Sequence, residues 1–223
     1  FALLSHIKNF AKEKNLRLTL HPDQFVVLNS PKKTVVKNAV LELEYHNYLA
    51  ELFGADVINI HAGGAYQNKT KALLALEKNL SLLSASLRRK LSLENDDRSF
   101  TPKDLLPFCH SNQLPFVYDV HHHRCLKDGL TEETATQNAL KTWDREPLFH
   151  LSSPKGGWKS ANPRLHADYL QTSDFPKAWS AIPSLTIELE AKAKELAVLD
   201  FMNQLKTTRI IPESHFSEKP QIK

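Results

Sequence analysis

The sequence predicts an α/β fold, a (β/α)8 TIM barrel that in this chain lacks its first strand-helix units. Two observations predict it. Short apolar runs alternate with stretches of helical periodicity along the chain, and nearly every apolar run ends in histidine, aspartate or glutamate. Strands that are almost continuously apolar and separated by helices imply a parallel sheet covered on its outer face through right-handed crossovers.

Residues 1–14 read as an amphipathic helix that runs straight into an apolar strand at 16–20. Helical periodicity at 34–52 leads to a strand at 56–60, and a helical stretch at 69–87 to a strand at 91–94. Ser99-Phe100-Thr101-Pro102 then offers Ser and Thr as N-cap candidates with a proline in the first turn, which opens a helix at 101–110. A strand at 116–120 follows. The helix at 131–143 places Glu132 and Glu133 in its first turn, where the helix dipole favours them. Strands at 148–151 and 185–190 and a helix at 191–205 complete the alternation. Six strands are visible where a closed barrel has eight, so the chain is expected to begin partway into the fold. Residues 1–205 form a single barrel domain on this reading, incomplete at its N-terminal end, and 206–223, poor in apolar residues, form a surface tail.

With 223 residues and 41% hydrophobic content, the chain can bury one full core. No stretch reaches the roughly 18 uninterrupted apolar residues of a membrane span, and no signal peptide opens the chain. Cys109 and Cys125 are too few for a disulfide framework and fit a reducing, cytoplasmic setting. The net charge of +4 is mildly basic, which admits nucleic acid as a partner without requiring it.

The strand ends carry the chemistry. His21 follows the first strand and His61 the second, and Glu94 closes the third. Asp119 ends the fourth, with His121, His122 and His123 just beyond it, expected as a loop cluster. His150 lies in the fifth, and Glu188 and Glu190 alternate in the sixth. In a parallel barrel all C-terminal strand ends share one face, so these positions converge on one site. Unpaired there, they would cost several kcal/mol in desolvation, which a divalent cation relieves. Histidines mixed with carboxylates suit Zn²⁺ or Mn²⁺ better than Mg²⁺ or Ca²⁺. His6, His46, His110 and His215 fall on helices or the tail, and Glu42, Glu44 and Glu51 read as a solvated helix face.

Taken in order, His21-Pro22-Asp23-Gln24-Phe25, His61-Ala62-Gly63-Gly64, Leu93-Glu94-Asn95-Asp96, Tyr118-Asp119-Val120-His121-His122, His150-Leu151-Ser152-Ser153 and Glu190-Ala191-Lys192 resemble the UV damage endonuclease family, which is related to endonuclease IV and to xylose isomerase-like barrels. The resemblance implies a DNA repair endonuclease that cuts double-stranded DNA beside UV photoproducts, and also at abasic sites; no membrane or protein partner is evident in the sequence. It implies two or three Mn or Zn ions: Glu94 bridging two, His21 and His61 on one, Asp119, His150 and Glu190 on the other, and His122 and His166 on a third. Glu94, Asp119, Glu190 and His122 form the catalytic set. It implies, too, that Gln24 and Phe25 probe the gap left by flipped, damaged bases, with Phe25 standing where a tyrosine is expected. Arg164 stands where the endonuclease IV branch has aspartate, two residues before His166.

The loops expected on the active face carry Lys32, Lys33, Lys69, Arg124, Lys127, Lys155, Lys159 and Arg164. Such residues give phosphate contacts without sequence readout. Trp158, among Lys155, Gly156, Gly157 and Lys159, is placed to stack on a base or sugar. Arg88-Arg89-Lys90 precedes a strand and belongs on the opposite, solvated face. Two other classes use the same pattern: a sugar isomerase or epimerase, and a barrel that binds damage without cutting.

Overall fold

A computed structural model describes residues 2–208. Six parallel strands pair in sequence order: β1 (Thr19–Leu20), β2 (Val57–His61), β3 (Leu91–Glu94), β4 (Phe116–Asp119), β5 (Leu148–Leu151) and β6 (Thr186–Leu189). The helices are α1 (Ala2–Glu13), α2 (Lys33–Phe53), α3 (Lys69–Leu80), α4 (Ala85–Lys90), α5 (Pro102–Asn112), α6 (Val120–Cys125), α7 (Glu132–Leu140) and α8 (Glu195–Thr208). This is six-eighths of a barrel, as the alternation predicts. Among the described residues, no helix is long and apolar enough to cross a membrane.

Helix ends follow local chemistry. The amide of Thr101 donates to Asp104 Oδ2 at 2.9 Å with Pro102 opening α5, and Thr131 Oγ1 accepts from the amide of Thr134 at the start of α7. Gly54 ends α2 at φ +86°, a left-handed position that only glycine adopts freely. The expected single helix over 69–87 is two, because Ser84 caps a new start: its Oγ accepts from the amide of Leu87, while Glu44 accepts from both its amide and its hydroxyl. Glu44 is therefore not a free solvated group, nor is Glu51, which accepts from Ser86 Oγ and lies 3.5 Å from Lys90. Helix α8 starts at Glu195, after Lys194 in the left-handed region, and runs to Thr208. Lys206, Thr207 and Thr208 thus belong to it, and the rest of the expected tail lies outside the described residues.

The main core fills the layer between sheet and helices, with Leu43, Ile58, Leu76, Leu91, Phe116, Tyr118 and Phe149 fully buried. Alternation along the strands sends a second set to the barrel interior. Near the N-terminal strand ends these are Val57, Val117 and Leu148, packed with Trp143, a small apolar plug. Above it the interior turns polar: Ser92 Oγ donates to Asn59 Oδ1, and Asn59 Nδ2 donates to Glu94 Oε2.

Candidate metal centre

Glu94 is the hub. It is fully buried at the end of β3, in register with His61 of β2. His21 Nε2 lies 3.0 Å from its Oε2, while His122 Nδ1 and His150 Nδ1 each lie 3.3 Å from its Oε1. His150 Nδ1 is also 3.2 Å from Glu190 Oε1, and its Nε2 is 3.0 Å from Glu188 Oε2. His61 is held among the imidazoles, its ring 5.3 Å from that of His21 and 5.8 Å from that of His122.

Three sets of donor atoms come close enough to share a cation: His21, Glu94, His150 and Glu190; Glu94, Asp119 and His122; and His122, His166 and Glu190. His166 is delivered from a distant position by a short antiparallel bridge to Pro154, with the amide of Ala167 donating to Ser153 O. The grouping differs from the implied one: His21 associates with His150 and Glu190, Asp119 groups with Glu94 and His122, Glu190 also joins His122 and His166, and His61 contributes to none of the three sets found among the described residues.

The His121–His123 segment is helical, not loop. Asp119 caps α6, its Oδ1 accepting from the amide of His122 at 2.7 Å. That turn separates three adjacent histidines into three roles. His122 faces the site. His121 is buried against Trp158 and His166, with ring centroids 5.0 and 5.1 Å away, and burial pushes its pKa down to about 4. His123 points away, between Tyr118 Oη at 2.7 Å and Asp128 Oδ1 at 2.9 Å, and braces α6 against β4. Asn95 fixes the same corner: it exchanges hydrogen bonds with the backbone of Asp119, and its own carbonyl accepts from His122 Nδ1 at 3.0 Å. Neither Asn59 nor Asn95 was expected in the site, although the period of two in β2 points Asn59 inward with His61.

Burial opposes charge on every group here, and the neighbours decide the outcome. His122 and His150 are held well above the ordinary histidine value against burial, by Asp119 and Glu94 in the first case and by Glu94, Glu188 and Glu190 in the second. Glu94 is held well below the carboxylate range despite burial, by His150 and His61, and Glu190 is drawn down to about 2 by His150. Asp119 goes the other way, raised to about 7 by burial and by the charges of Glu190 and Glu94. Even so, Glu94 Oε1, Asp119 Oδ2, His61 Nδ1 and both ring nitrogens of His150 are buried without a hydrogen bond in good geometry. Buried polar atoms rarely go unsatisfied, so this convergence fits a cation.

On the rim, Asp23 makes a tight turn, its Oδ1 accepting from the amide of Phe25 and its carbonyl from that of Val26. The turn lifts Gln24 and Phe25 off β1, and Phe25 is 77% exposed. Trp158 is 37% exposed and pinned, its indole N–H donating to Asp174 Oδ1 and the Arg124 guanidinium lying 5.6 Å from its ring. Asp174, buried and also bound by Ser153 Oγ, is a further residue that sequence reasoning missed. Three of the expected loop cations are already committed: Arg124 to Glu132, Lys69 to Asp104, and Arg164 to Asp97 at 3.2 Å. Lys32, Lys127, Lys155 and Lys159 are exposed and make no ion pair among the described residues.

Residues 2–218 match the model of the family described as UV-endonuclease UvdE. A UV DNA damage endonuclease of Bacillus cereus (strain Q1) is 35% identical over 212 residues, a match that covers 89% of this chain and 65% of the relative. This chain therefore spans just under two thirds of that relative's length. Among solved structures, the crystal structure of SacUVDE superposes with a TM-score of 0.85 at 30% identity, covering 94% of this chain and 72% of that one. Endonuclease IV from Thermus thermophilus shares the fold, with a TM-score of 0.67 at 18% identity, covering 92% of this chain and 82% of that one.

Proposed function

The chain belongs to the UV-endonuclease UvdE family, and from that premise we propose that it is a metal-dependent endonuclease that hydrolyses a phosphodiester beside UV photoproducts in double-stranded DNA, and at abasic sites. The observation that carries this reading is the convergence of buried, unsatisfied donor atoms of Glu94, Asp119, His61 and His150 on one face of the sheet.

His21, His61, Glu94, Asp119, His122, His150, His166 and Glu190 would hold two or three divalent ions, Mn or Zn. When bound, these ions would supply water activation and neutralise charge on the attacking and leaving oxygens. The chain's own residues prepare that chemistry. Asn59 pins one oxygen of Glu94 and leaves the other free to ligate. Asn95 O accepts a hydrogen bond from His122 Nδ1–H, which leaves Nε2 as the nitrogen able to ligate. Glu188 sits behind His150 as an outer carboxylate that orients the ring.

Gln24 and Phe25 would enter the stack beside the lesion, and Lys155 and Lys159 would contact phosphates. Trp158 would present its edge to the sugar-phosphate track, with Arg164 steadying the rim through Asp97. A sugar isomerase would share the donors but has no use for an exposed aromatic turn that borders an open cleft beside Lys32. The test is a labelled duplex with one pyrimidine dimer, incubated with protein and Mn²⁺. A single cut beside the dimer, with the undamaged duplex intact, is the expected result; equal cutting of both, or of neither, would sink the reading.

A further inference from the structure

Beside the metal centre lies a cleft of about 800 Å³ bounded by Gln24, Phe25, His61, Gly64, Tyr66 and His122. Tyr66 has no part in the donor cluster. It occupies an unusual turn after β2: Tyr66 has φ +44° and Gln67 φ +67°, and the amide of Asn68 donates to Ala65 O at 2.8 Å. Two successive left-handed residues closed by such a bond make a type I′ geometry, which glycine and asparagine adopt freely and tyrosine and glutamine do not. Strain of this kind persists where the surroundings impose it, and it collects at ligand clamps.

The turn lays the tyrosine ring over Gly64. A Cβ added to Gly64 would stand 3.0 Å from Tyr66 Cζ and 3.3 Å from both Cε atoms, so a bare backbone is needed beneath the ring. Next to it, Gly63 has φ +88° and no room for a side chain against Asn29, whose Nδ2 donates to Gly64 O at 2.8 Å. The platform is thus rigid from below. Above, the ring is 47% exposed, and its hydroxyl has no hydrogen-bond partner among the described residues. A flat aromatic with one supported face and one open face, across a cleft from the exposed Phe25, is a stacking site for a planar ring.

We propose that Tyr66 is a second aromatic platform, stacking on a nucleobase left unpaired at the lesion and setting the preference for damaged over intact DNA. The inference rests on the DNA-incision reading above. Aromatic stacking on an unpaired base, lost by substitution, corresponds to a drop of about 10-fold in affinity.

The experiment measures binding of wild type, Tyr66→Phe, Tyr66→Asn and Tyr66→Gly to duplexes with and without one abasic-site analogue, with chelator present so that no strand is cut. Thermal midpoints are recorded for all four. Asn and Gly relax the left-handed turn, so both variants should melt higher than wild type, yet lose about 10-fold of the preference for damage while binding intact DNA equally well. Phe should keep the preference. A preference retained by both the Asn and Gly variants, or an equal loss on both duplexes, overturns the role of Tyr66 and leaves the incision reading standing. A wild type with no preference for the damaged duplex overturns both.

Discussion

The two ends of this sheet use similar residues to opposite effect. At the N-terminal strand ends, Arg17 forks onto Asp56 with bonds of 2.8 to 3.1 Å and reaches on to Pro147 O and to Thr186 Oγ1 of β6. Arg145 joins from the far side, 3.6 Å from Asp56, and the ring of Trp143 lies 5.8 Å from the Arg17 guanidinium and 5.4 Å from that of Arg145. Each charge of this network has a protein partner, and the network ties the start of β1 to β6 across the side where those two strands do not pair. At the C-terminal ends, imidazoles and carboxylates crowd together, and buried atoms of His61, Glu94, Asp119, His121 and His150 are left without a hydrogen bond. The Arg17–Asp56–Arg145 network is electrostatically complete as folded. The second end keeps buried donor atoms of the kind a cation satisfies, which is the physical difference between a structural network and a candidate binding site.

Substitutions at the two ends should therefore separate stability from function. Glu94→Gln removes the hub charge and should cut incision by more than about 100-fold, with secondary structure unchanged in circular dichroism; activity within a few-fold of wild type would break the assignment. Glu188→Gln, one step further out, should weaken Mn²⁺ binding by about 10- to 100-fold, read by calorimetric titration. An unaltered affinity would mean that His150 is oriented by Glu94 and Glu190 alone. Arg17→Met at the other end should cost about 1–2 kcal/mol in denaturant unfolding, discounted for partial exposure, and leave turnover per folded molecule unchanged.

The smallest effect is a change of slope with pH. In the metal-free fold His122 and His150 stay protonated above 6.5, where an unfolded histidine loses its proton. The native state then binds more protons than the unfolded one, so stability falls as pH rises above the ordinary histidine value of 6.5. With Mn²⁺ present the ligands must be deprotonated, so binding and the stability it adds increase with pH. Thermal midpoints above that pH should slope down without metal and up with it; parallel slopes would count against the site.

Much of this was legible because short strands show their period. His21, His61, Glu94, Asp119, His150 and Glu190 close apolar runs, and the parallel topology alone brings them together. What escaped depended on partners far along the chain. Arg164 reads as a free phosphate contact until Asp97, 67 residues away, is seen to hold it. The three histidines after Asp119 look interchangeable until one helical turn sends His123 to Tyr118 and Asp128. The turn at Tyr66 and Gln67 escaped for a different reason: its two central, left-handed positions carry neither the glycine nor the asparagine that marks such turns.

The central claim is that the unsatisfied donors at the C-terminal strand ends form a metal centre, and titration of Mn²⁺ into chelator-stripped protein, repeated in two buffers of different ionisation enthalpy, tests it most directly. Saturable binding of at least two ions per chain with release of protons is the predicted result. Absence of saturable binding, or one weak site with no proton release, would contradict it.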